Sequence, residues 1–161
     1  MAANQAQNFY APAAGLLLGA RVATLATSAG DVPHAALVTP AVGPEGWPVL
    51  LLSELSAHTR QLRQNPACAL LVVGVARDEN PQTAPRLTLS GAARPTDDAR
   101  AAARFLQIHP YAEQYAGFAD FNLWELRVRA AHYVGGFAAA AALDITALQH
   151  EIKLAWSTGD G

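Results

Sequence analysis

RVATLATSAGDVPHAALVTPAVGPEGWPVLLLS, residues 21–53, decides the fold class. Three short runs rich in Val, Leu and Thr, at 22–27, 34–39 and 47–53, stand between turn-forming clusters. Ala29-Gly30-Asp31 predicts a tight turn, and Gly43-Pro44-Glu45-Gly46 predicts another. Connections this short join antiparallel strands, because a parallel pair needs a crossover of about a dozen residues or more. The stretch reads as an antiparallel meander and excludes a doubly wound parallel sheet.

Outward from it, the chain alternates between strands and short helices. Residues 9–19 predict a helix with Leu16, Leu17 and Leu18 on its apolar side, closed by Gly19. A second helix starts at Ser56, a residue suited to capping, and stops at Asn65-Pro66, since proline cannot continue the hydrogen-bond ladder. Residues 67–75 are almost wholly apolar and predict a strand buried on both faces. A polar loop at 76–84 precedes a cleanly alternating strand at 86–92, with Leu87 and Leu89 on one face and Arg86, Thr88 and Ser90 on the other. Thr96 is the expected cap of a helix over 97–108, with two acids in its first turn. Strands at 121–128 and 132–135 follow. Asp144 then caps a last helix in which Ile145, Leu148, Ile152 and Ala155 share a face. The sum is an α+β, mainly β domain: a six- to seven-stranded antiparallel barrel with flanking helices. The expected single domain covers 1–161, with its core at about 14–140 and its C-terminal helix at about 144–156.

Composition narrows the function classes. The 161 residues are 52% hydrophobic and only 15% charged, against roughly 25% in ordinary soluble domains. A surface so poor in charge points to a face covered by a partner. Eleven Lys+Arg against thirteen Asp+Glu give a net charge of −2, without the basic field that nucleic-acid binding requires. One cysteine, Cys68, excludes an internal disulfide and a cysteine-rich zinc site, and fits a reducing cytoplasm. The first ten residues carry no basic targeting region. The apolar stretch at 11–26 is interrupted by Arg21 and falls short of the ~20 residues of a membrane span, so no membrane association is expected.

The chemistry concentrates at Ser53 to Pro66. A helix start offers unpaired N–H groups and a favourable dipole to an anion. His58 and Thr59 occupy its first turn, and Arg60 lies one turn from Ser56. The same residues also suit an ordinary capped surface helix with solvated arginines. Arg86 is a second candidate, on the less apolar face of its strand. His34, His109, His132 and His150 show no metal-ligand spacing, and no nucleophile elbow, Walker loop or Gly-x-Gly-x-x-Gly turn is present.

Taken in order, residues 22–27, Pro33 to Val38, Ser53 to Pro66, Arg86 to Gly91, His109-Pro110 with Tyr115, and Tyr133-Val134-Gly135-Gly136-Phe137 resemble the pyridoxamine 5′-phosphate oxidase-like, FMN-binding split β-barrel superfamily. The branch with haem-utilisation proteins is the most similar. The resemblance implies a homodimeric flavoprotein, an oxidoreductase acting on a small molecule, with FMN at the dimer interface. Ala36, Leu37 and Val38 would lie along the isoalloxazine through their backbone. Ser53, Ser56, His58, Thr59 and Arg60 would face the ribityl phosphate, and Arg86 would approach the phosphate or the ring. Ala57-His58 stands where the pyridoxamine phosphate oxidases carry Arg-Lys, and Ala138 stands where the haem-utilisation branch has glycine. A haem-binding or haem-degrading protein on the same scaffold, and a binding module without a cofactor, are the rival expectations.

Overall fold

In the computed structural model, which describes residues 9–136 and 139–159, the quoted stretch forms the predicted antiparallel strands. Helix α1 (Tyr10–Gly19) leads into β1 (Ala23–Ala29) and β2 (Val32–Val38), joined through Gly30 at φ 59°, a left-handed conformation that glycine adopts without strain. Next come β3 (Pro40–Val42), β4 (Pro48–Ser53), α2 (Ala57–Gln64), β5 (Ala67–Val73), β6 (Arg86–Pro95), α3 (Ala99–Ile108), β7 (Phe121–Gly136), β8 (Ala139–Leu143) and α4 (Ile145–Gly159). All pairings are antiparallel, in the order β2-β1-β5-β6-β7-β4-β3, with β8 added to β7. The sheet splits at β7: its first half pairs with β4 and its second half with β8. Phe137 and Ala138 of the glycine-rich motif lie outside the described residues.

Alternation along the strands sets the core. Leu25, Leu70, Leu87 and Leu89 are fully buried, and with Trp124, Leu126, Leu17, Leu148 and Ile152 they fill the barrel. A smaller cluster of Phe105, Val49, Ala101 and Leu123 seats α3 against β3 and β4. The in-out alternation of β7 is reset by a bulge opposite Ser90/Gly91, so Val128 and Ala131 both face the core. Gly91 permits this. A Cβ there would stand 2.0 Å from the Arg127 carbonyl oxygen.

Five expectations need correction. There are eight strands among the described residues, because β3 and the alanine-rich β8 carry almost no strand signal of their own. The segments at 121–128 and 132–135 form one strand whose apparent gap is the bulge. Strand β5 is not buried on both faces: only Leu70 and Val72 are buried, and Val73 is exposed. Helix α3 is capped by Asp98, whose carboxylate accepts from the Arg100 N–H at 2.9 Å; both acids precede the first turn, and the Thr96 N–H is held by the Leu123 carbonyl. The Ser56 hydroxyl makes no cap hydrogen bond, although Ser56 holds the cap position of α2. Asp144 does cap α4, accepting from the Ala147 N–H at 2.9 Å. The apolar face of α4 is consumed by the chain's own core, with Leu148 and Ile152 fully buried.

Candidate functional site

The end of β2, the end of β4 and the start of α2 meet around a cavity of about 200 Å³. It is lined by Leu37, Val38 and Thr39 from the end of β2, Leu51, Leu52 and Ser53 from β4, Ser56 and His58 from the start of α2, and Phe121 from β7. Leu37 is 72% exposed, so the cavity opens onto the outer face of the sheet. Phe121 enters through the β4–β7 register, in which Ser53 pairs with Phe121.

Of the residues singled out in the sequence, Leu37, Val38, Ser53, Ser56 and His58 line this cavity. Ala36 is half-buried one position earlier on β2, an edge strand of the sheet. Thr59 is completely buried, and its hydroxyl has no hydrogen-bond partner among the described residues. Arg60 is exposed and donates through Nη1 to the Leu55 carbonyl. Arg86 stands elsewhere. It pairs with Val73, three strands from β2, or roughly 14 Å at about 4.8 Å per strand. Its Nη1 donates to the carbonyls of Gln82 and Ala84, both at 3.1 Å.

Charge around the helix start is already committed. Arg63 forms an ion pair with Glu54, at 2.5 Å, and Asn122 also donates to that carboxylate. The hydrogen bond from Arg63 holds the Glu54 carboxyl below the usual carboxylate range, against the opposing effect of burial. The Ser53 hydroxyl donates to Asp120 Oδ2 at 2.8 Å, placing a carboxylate behind the cavity. Burial, and secondarily the neighbouring His34, push the His58 pKa below the ordinary imidazole value. The two rings lie 6.4 Å apart and nearly parallel. Cys68 is inert by contrast, since burial pushes its thiol up to about 11. Asp120 and Phe121 escaped sequence reasoning because only the pairing of β4 with β7 brings them to Ser53.

A larger apolar groove of about 450 Å³ lies beside α1, walled by Leu16, Val22, Val72, Val73 and Val75. Its single charged residue, Arg21, donates to the carbonyls of Leu18 and Ala20, so polar groups do not converge there. No group of three or more potential metal-ligating side chains occurs among the described residues. No described helix is long and apolar enough to cross a membrane.

Comparison with known proteins places this geometry. The family model described as CREG, beta-barrel matches residues 19–149. The chloroplastic heme oxygenase HOZ of Arabidopsis thaliana is 35% identical over 111 residues, which are 67% of this chain and 33% of that protein. The chain thus spans about a third of the length of that relative. The structure of a heme-binding protein from Mycobacterium smegmatis is 30% identical, with a TM-score of 0.78 over 87% of this chain and 60% of that one. A putative pyridoxamine 5′-phosphate oxidase from Listeria innocua, 16% identical, shares the fold with a TM-score of 0.60 over 80% of this chain and 99% of that one.

Proposed function

The chain belongs to the CREG β-barrel family, and from that premise we propose that it binds haem at the cavity between β2, β4 and α2. The observation that carries this reading is the cavity lining: Leu37, Val38, Leu51, Leu52 and Phe121, with Thr39, Ser53 and Ser56, around one imidazole and with no Lys or Arg among them. A porphyrin offers large apolar faces and an iron that takes a nitrogen ligand. A phosphate calls for free cations and donors, which this helix start has spent on Leu55, Glu54 and Asp120. The likeness to a heme oxygenase and a heme-binding protein supports the same reading. When bound, the iron would supply a redox centre; the chain's residues supply the apolar wall and the imidazole.

The cavity's 200 Å³ is below the roughly 300–1,000 Å³ of a small-ligand site, so it forms one wall. We propose that a second copy supplies the other. The outer face that begins at Leu37 continues through Thr24, Leu71 and Thr88, and beside them run Ala35, Ala26, Ala69 and Ser90. No charge interrupts these rows, which suits an isologous dimer. Across such a dimer Arg86 can act at the cavity of the second copy, though it is too far from its own.

FMN is the second reading, favoured by one observation: β2 is an edge strand, so the backbone of Ala36, Leu37 and Val38 has a side open to a ring with hydrogen-bonding edges. On that reading the protein is an FMN-dependent oxidoreductase. Titration of the chain with hemin and, separately, with FMN decides between them. A Soret shift saturating at one hemin per chain is the expected result. Flavin retention without a Soret shift favours the second reading. A protein that ignores both is a binding module and overturns the proposal.

A further inference from the structure

Building on the haem reading, we propose that His58 is the haem-iron ligand, presented by the first turn of α2 to a porphyrin lying against Leu37, Leu55 and Phe121. The five histidines are not equivalent. His109 is 2% exposed, its Nε2 held 2.8 Å from the Pro40 carbonyl and its Nδ1 3.3 Å from the Tyr111 hydroxyl. Both of its nitrogens are therefore spent. His132 and His150 are exposed, on the outer face of the sheet and on α4, and neither lines a described cavity. His34 sits on β2 behind His58 and does not line the cavity either.

His58 alone combines the requirements. It lines the cavity, it is half-buried, and no group among the described residues hydrogen-bonds its ring. Neither ring nitrogen is among the buried unpartnered atoms of the described residues, so both stay open to a ligand arriving from the surface. The lining joins five apolar residues to Thr39, Ser53 and Ser56 and includes no carboxylate, a donor set poorly suited to a hard, hydrated cation. It does suit iron carried in an apolar ring. Leu37, which lines the cavity, is 72% exposed, and Leu55, three residues before His58, is 74% exposed. Phe118, 57% exposed, extends the surface, with its ring 6.4 Å from that of Phe121. The short sequence Ser56-Ala57-His58 thus puts a nitrogen ligand where an anion-binding helix start would put fixed positive charge.

The test uses the 161-residue chain with hemin, read by absorption and electron paramagnetic resonance. The wild type is expected to show the bands of nitrogen-ligated ferric haem. His58→Ala is expected to lose those bands and regain them when free imidazole is added. His58→Met, which keeps a long side chain at the site and guards against a folding defect, should give a thioether-type spectrum. His150→Ala should match wild type. If wild type leaves the hemin spectrum unchanged, the haem reading itself falls. If wild type binds and His58→Ala and His58→Met retain its spectrum, haem binding stands and His58 is not the ligand.

Discussion

The two faces of the β2-β1-β5-β6 sheet are built from alternate residues of the same strands, yet they have opposite fates. The inner face carries Leu25, Leu70, Leu87 and Leu89, each at 0% exposure. The outer face carries Thr24, Ala26, Ala35, Leu37, Ala69, Leu71, Thr88 and Ser90, which are exposed or half-buried. Large side chains inside complete a core within one chain. Outside, small residues, threonines and two leucines leave a surface that, with Arg86 at its margin, is too apolar for an ordinary solvated face. Folding finishes the first face; the second is the one that the proposed dimer would cover, and the candidate cavity lies where β2 meets β4 and α2.

This contrast can be broken at the bulge, where β7, paired to β6, exchanges its inner and outer sets. Gly91→Ala would drive a Cβ to 2.0 Å from the Arg127 carbonyl, and a loss above ~4 kcal/mol is expected. Urea denaturation measures it; a loss below ~1 kcal/mol would mean that the bulge does not fix the two faces. Next in size, Leu89→Ala should cost ~2–5 kcal/mol, as a fully buried leucine does, while its outer neighbour Thr88→Ala stays within ~0.5 kcal/mol. Equal losses at the two positions would erase the distinction.

A smaller effect belongs to pH. Glu54 is held below the ordinary value of 4.5 by Arg63, so it binds a proton less readily in the folded chain than in the unfolded one. Its stabilisation is therefore complete above about 4.5 and is lost as pH falls through the depressed folded value. Arg63 and Glu54 keep 47% and 30% of their side chains exposed, which limits the contribution to ~0.2–1 kcal/mol. Acid titration of stability should be flatter by that amount in Glu54→Gln. The same slope in both proteins would show that the pair contributes nothing. Smallest for the fold is Ala26→Glu on the outer face, expected to change chain stability by less than ~0.5 kcal/mol. For assembly it is the sharpest change, since a two-fold interface meets the new charge twice. Sedimentation velocity should show a wild-type dimer and a monomeric variant. A dimer that survives the substitution moves the interface elsewhere.

Most of the fold was legible because alternation and turn chemistry are local. Gly30 and the Gly43–Gly46 turn are read residue by residue, and so is the period of Leu87 and Leu89. What was misread depended on neighbours. The even apolarity of Ala67–Val73 hides which side is covered, and that depends on what packs against β5. Likewise, a serine before a helix signals a cap, but the Ser56 hydroxyl makes no such bond. For the cavity, Leu37, Val38, Ser53, Ser56 and His58 were legible as a set, whereas Phe121 and Asp120 were not, since 67 residues separate Ser53 from the carboxylate that accepts its hydrogen bond.

By itself the sequence determined the antiparallel class, the succession of strands and helices, and the poverty of charge, because backbone preference and side-chain polarity act over a few residues. Only the tertiary structure decided that Thr59 is enclosed, that Arg60 and Arg63 are engaged by Leu55 and Glu54, and that Arg86 lies three strands from the cavity. Those outcomes rest on strand register and on competition among nearby donors and acceptors. Spacing along the chain cannot decide which carbonyl or carboxylate reaches a guanidinium first; proximity in the folded state does.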